Sequence, residues 1–92
     1  LAMQPLGEPV DDFWQQRLGV ILTPLQAKAL VVLVEGPLSV AELADRLSVE
    51  RGETEAVCQV LTKEVLIETI GDRFALAERL RPLAEEARTR GL

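Results

Sequence analysis

Acid–base and nucleophilic chemistry need groups that this chain does not supply. It has no histidine, no tyrosine and a single cysteine, Cys58, so the side chains that most often move protons near neutral pH are missing. Cys58 falls in line with Thr54, Val57, Leu61 and Val65 at helical spacing, which reads as a small buried apolar residue. A reactive thiol asks for nearby positive charge. The adjacent carboxylates Asp11-Asp12 and Glu85-Glu86 read as a helix cap and a solvated face. The sequence holds no phosphate-binding glycine loop and no Cys/His metal spacing. The expectation is a non-catalytic protein without cofactor or metal.

What remains is binding chemistry, and it is concentrated between residues 50 and 63. Thr54, Val57, Cys58, Leu61 and Val65 recur at i, i+3, i+4, i+7 and i+11, which predicts one buried face of a helix. The other positions, Glu50, Arg51, Gly52, Glu53, Glu55, Ala56, Gln59 and Val60, then face outward. Three glutamates there stand against Arg51, with Lys63 further along. A net charge of −5 also disfavours non-specific attraction to phosphate. Ala56 and Val60 lie one turn apart among these charges, as a docking stripe would, although Val60 alone also fits a side chain tucked against a neighbouring element. The expected contact surface is Glu53, Ala56, Gln59, Val60, Lys63 and Arg73.

Several elements have to position that helix. Thr23-Pro24-Leu25-Gln26 and Ser39-Val40-Ala41-Glu42 both have the form of a capping box, in which a hydroxyl and a residue three positions on exchange hydrogen bonds with the backbone. The first opens a helix that runs to about Glu35 and is stopped by Gly36-Pro37. The second opens one with Val40, Leu43, Ala44 and Leu47 on its core face. Leu38 between them is predicted to be a short bridging strand. A break at Ser48-Val49 joins the second of these helices to the acidic one, and two helices joined by so short a turn form a helix-turn-helix. Leu66 to Leu76 then alternates around Gly71-Asp72, a type II′ hairpin that pairs Ile67 with Leu76 and Thr69 with Phe74.

The flanks are simpler. Residues 1 to 10 read as a lead-in, and Asp11 or Asp12 can cap a short helix closed by Gly19. That helix carries Phe13 and Trp14, which either pack on their own domain or anchor a partner. Leu80, Leu83, Ala84 and Ala87 predict a last helix over about 79–90 with Pro82 in its first turn. At 92 residues the chain suits one domain, 11–92 with a core over 23–76, mainly α with a small β-hairpin wing. Its longest apolar run, Ala29 to Val34, is six residues, against the roughly 20 of a membrane helix. No secretory segment is visible, and a lone cysteine suits the cytoplasm.

From Thr23 to Leu76 the chain resembles the winged helix-turn-helix superfamily, in the form of MarR-type and ArsR-type bacterial regulators. The residues that carry the resemblance are Leu22-Thr23-Pro24-Leu25, Glu35-Gly36-Pro37-Leu38-Ser39-Val40, Ala41-Glu42-Leu43-Ala44-Asp45-Arg46-Leu47, Leu66-Ile67-Glu68 and Gly71-Asp72-Arg73-Phe74-Ala75-Leu76. It implies the fold, and it places glycine where this chain has Ser48 and Val65. A β-branched valine resists the positive φ such a position wants, so the helix is expected to run on past Val65.

In DNA-binding relatives the outward residues of the second helix donate to phosphates and base edges. The acidic exterior here instead favours a protein-interaction or regulatory module, similar to the acidic winged-helix modules of kleisin-associated condensin subunits. On this reading the partner is a protein, DNA is disfavoured, and no membrane is engaged. The alternative is a dimeric DNA-binding transcriptional regulator. In such relatives the terminal helices pair two protomers, so Phe13, Trp14, Leu80, Leu83 and Ala87 would be dimer contacts, and Arg51, Gln59, Lys63 and Arg73 would meet the duplex.

Overall fold

The computed structural model describes residues 10–91. The expected lead-in lies outside them except for Val10, with which the first helix begins. Five helices and three short strands follow in the order α1 (Val10–Leu18), α2 (Pro24–Val32), β1 (Leu38–Ser39), α3 (Val40–Leu47), α4 (Arg51–Lys63), β2 (Ile67–Ile70), β3 (Arg73–Leu76) and α5 (Arg81–Thr89). Asp11 and Asp12 lie inside α1 rather than ahead of it, so neither stands at the expected cap position.

Both capping boxes form. Gln26 donates its backbone N–H to Thr23 Oγ1 at 3.2 Å, and Thr23 N–H donates to the Gln26 side chain at 3.0 Å. Ser39 and Glu42 repeat the exchange at 3.2 and 3.0 Å. A 3-10 turn, Leu33–Glu35, carries α2 to its stop at Gly36, whose φ of 136° is open to glycine and strained for other residues.

The strands form one antiparallel sheet in the order β1-β3-β2. The hairpin register is the expected one, Ile67 opposite Leu76 and Thr69 opposite Phe74. Gly71 has φ 61°, as the first residue of a type II′ turn requires. Leu38 pairs with Phe74, which ties the entry of α3 to the wing.

Helices α3 and α4 cross through Leu43, Leu47, Val57, Cys58 and Leu61, all buried in one apolar core with Leu30 and Leu33 from the α2 segment. Burying a leucine of this kind stabilises the fold by about 1.5–3 kcal/mol. Phe13 and Trp14 are fully buried in the same core, their rings edge to face with centroids 5.2 Å apart. Leu80, Ala84 and Ala87 close it from the other terminus, with Leu83 packed partly against it. Of the two roles considered for Phe13 and Trp14, packing on their own domain is the one seen, and Leu80 and Ala87 are buried with them while Leu83 stays partly exposed. Their side chains are used within the protomer because the two terminal helices cover the back of α2.

The end of α4 is also corrected. The helix stops at Lys63 instead of running past Val65, and Val65 has φ 60° with its side chain 63% exposed. Val65 N–H donates to the Thr62 carbonyl and Leu66 N–H to that of Leu61, at 3.0 and 2.9 Å. Those are the two bonds of a Schellman motif. Ser48, at φ 58°, ends α3 the same way, with Ser48 N–H on the Asp45 carbonyl and Val49 N–H on that of Ala44. Leu66 is buried against the core beside Leu61, and that apolar closure outweighs the strain at Val65.

Candidate functional site

Thr54, Val57, Cys58 and Leu61 are the buried residues of α4 and define its inward direction. At 3.6 residues per turn the residues directly opposite are Gly52, Ala56, Gln59 and Lys63, spaced i, i+4, i+7 and i+11. All four are exposed. No carboxylate lies on that line. Glu53 and Val60 flank it on one side and Glu55 and Thr62 on the other, where Glu55 and Thr62 border a groove shared with the wing. Counting every outward residue as one acidic surface merged three distinct rows. The spacing 52, 56, 59 and 63 was present in the sequence and is the signal that separates them.

Val60 is 42% exposed, so it stands on the surface and does not tuck against a neighbour. Gly52 has nothing within 4 Å of where a Cβ would sit, so no packing within the domain requires glycine there.

The nearby cations divide into held and available. Arg73, on the wing, lies 3.4 Å from Glu42 and donates to the Pro37 carbonyl at 3.3 Å. Arg46, on α3, is paired with Glu35, and that contact raises its already high pKa. Arg51 and Lys63 enter no ion pair among the described residues, so both charges on α4 are available to an external anion. Arg73 keeps about half its side chain exposed.

That groove, of about 500 Å³, runs between α4 and the wing and is lined by Val40, Glu55, Cys58, Gln59, Lys63 and Phe74 among others. Burial, with the Glu55 charge adding to it, pushes the Cys58 thiol up to about 11, so it is protonated and a poor nucleophile at neutral pH. Of the expected contact residues, Glu53, Ala56, Gln59, Val60 and Lys63 share the exposed side of α4, whereas Arg73 on β3 is turned toward Pro37 and Glu42.

Solved structures of the same shape are regulators. The chain is similar to the zinc-dependent MarR-family transcriptional regulator AdcR, with 35% identity, a TM-score of 0.66, and 78% of this chain and 51% of that one covered. It is similar to Lactococcus lactis ZitR in complex with DNA at 25% identity and a TM-score of 0.69, covering 78% and 54%. Wild-type ZitR alone gives 26% identity and 0.69, covering 76% and 52%. No protein-family model matches the chain, and no curated protein does either. The chain is a winged helix-turn-helix domain in the arrangement of MarR-family regulators. It spans about half the length of the neighbours it matches.

The neighbours are transcriptional regulators and not enzymes, in agreement with the non-catalytic expectation. They overturn the other functional expectation. A protein-docking module with DNA disfavoured does not fit neighbours that include DNA complexes. The physical source of the error is the merged acidic surface described above. Zinc is named for AdcR. The chain has no histidine, its one cysteine is buried, and no three His, Cys, Asp or Glu side chains gather among the described residues. No zinc chemistry is assigned to it.

Proposed function

We propose that this chain is the DNA-binding part of a transcriptional regulator, with α4 entering the major groove and the wing alongside it. The observation that carries the reading is the exposed line Gly52, Ala56, Gln59 and Lys63, which is free of carboxylates and has available cations at or near both ends, Arg51 and Lys63. A helix fits the major groove of B-DNA, and Gln and Lys are donors to base edges and phosphates. The DNA complexes among the similar structures support the same use of the fold. Arg73, half exposed on the wing, would exchange its contact with Glu42 for a phosphate there.

Glu53 and Glu55 flank the line and Glu50 stands at the start of α4, so binding should be weak on arbitrary sequence and depend on the base contacts. The proposed acting form is a homodimer on a two-fold-symmetric site. The buried faces of α1 and α5 are occupied within the protomer, so the pairing surface is formed by other residues. No helix among the described residues is long and apolar enough to cross a membrane, and a regulator of a bacterial chromosome acts in the cytoplasm.

An anisotropy titration at about 50 mM salt with duplexes selected from a randomised pool tests the proposal. Binding that weakens steeply as salt rises is the expected result, since each neutralised phosphate releases counterions. No binding at that salt would overturn it.

A further inference from the structure

We infer that the outward line of α4, together with Val60 beside it, reads A·T base pairs, with Gln59 on adenine and the methyl groups of Ala56 and Val60 on thymine. The inference rests on the DNA-binding reading above and names its sequence class. Ala56 and Val60 are a full turn apart, Ala56 and Gln59 three residues apart, and all three are exposed without an apolar neighbour covering them. Such side chains have Cβ atoms about 5–6 Å apart, within one or two base-pair steps of about 3.4 Å.

Each side chain has one good partner in the major groove. A carboxamide pairs bidentately with adenine N6 and N7, and aliphatic groups pack on the thymine C5-methyl. Guanine is best read by arginine or lysine with two donors. The line holds no arginine, and Lys63, one turn beyond Gln59, is the last residue of α4, whereas the N-terminal residues of a recognition helix are the ones that meet base edges, so Lys63 is left to the phosphates. Glu53 and Glu55 beside the line would face the O6 and N7 acceptors of a guanine with carboxylate oxygens, which repel them. Gly52 has room for a side chain but carries none, so the first turn of α4 can approach the duplex closely.

The test uses the 92-residue chain and a pool of duplexes with a randomised centre, selected at about 50 mM salt. The expected result is enrichment of A·T pairs at the positions contacted. In the enriched duplex, replacing a contacted thymine by deoxyuridine removes only the C5-methyl and should weaken binding about fourfold. Ala56→Gly should still bind but lose part of the distinction between thymine and uracil duplexes, and Gln59→Ala should relax the preference for adenine. Circular dichroism establishes that both variants are folded. Enrichment of G·C pairs, or equal affinity for thymine and uracil duplexes, overturns this inference and leaves DNA binding standing. Failure of every duplex to bind overturns the parent reading, and this one with it.

Discussion

Arg79 Nη2 donates to the carbonyl oxygen of Val65 at 2.7 Å, and Val65 is the residue that turns the chain out of α4 in the left-handed conformation. A guanidinium from the entry to α5 thus holds the peptide unit of a strained β-branched residue, and through it the direction in which the wing leaves the helix. That geometry sets where α4 and β3 stand relative to each other, and so the width of the groove between them.

Val65→Gly should raise stability by about 1 kcal/mol. A left-handed valine costs roughly 1–3 kcal/mol, partly offset by the greater unfolded-state freedom of glycine. Because the side chain is exposed, little packing is lost. For a domain of this size the gain corresponds to a rise of about 4–8 °C in Tm, read by thermal denaturation. A fall would mean that the valine side chain is engaged in contacts outside this domain.

Ser39→Ala should lower stability by about 1 kcal/mol, the usual cost of removing an N-cap oxygen. Glu42, the reciprocal partner, has its carboxyl held below the usual range, chiefly by the Ser39 backbone N–H, then by the Ser39 hydroxyl, with smaller contributions from Arg73 and Arg46. A depressed folded-state pKa stabilises above the ordinary glutamate value of about 4.3 and loses that contribution as pH falls through the lowered value. Glu42→Gln keeps the cap and should flatten that part of the acid limb in urea titrations run from about pH 6 downward through the ordinary glutamate value.

Cys58 should resist thiol reagents in the native state at about pH 8, because only the thiolate attacks and burial raises its pKa to about 11. Reaction with an aromatic disulfide should become rapid once denaturant unfolds the chain. The raised value also means that stability falls as pH climbs from the unfolded thiol range of about 8.5 toward 11. Rapid native-state labelling would show that the α4–wing groove opens readily.

Replacing Glu53 and Glu55 together by glutamine should strengthen duplex binding several-fold at low salt, and the gain should shrink as salt screens the phosphates. Lys63→Glu should weaken binding and reduce the salt dependence. Both are read by anisotropy on one duplex. No change from the double glutamine variant would place the flanks of α4 away from the backbone.

Much of the fold was legible. Thr23-Pro24-Leu25-Gln26 and Ser39-Val40-Ala41-Glu42 each specify a helix start through hydrogen bonds made within four residues, and both formed as read. The pairing of Ile67 with Leu76 followed from alternation and a two-residue turn, again a local matter. Val65 was misread because its conformation is decided by Leu66, whose burial beside Leu61 pulls the chain down into the core. Phe13 and Trp14 were ambiguous for the same kind of reason, since an aromatic side chain suits a core or an interface equally well.

The amino-acid sequence by itself determined where the two capping-box helices α2 and α3 begin, the register of the wing and the want of groups for catalysis, because those depend on residue type and short spacing. Only the tertiary structure decided which outward residues of α4 form one row, which cations are already paired, and that the terminal apolar residues are used inside the protomer. Those outcomes depend on direction and on contacts between distant segments, such as Arg73 with Glu42 and Phe13 with the core, and burial is a property of the packed molecule that no single stretch of chain contains.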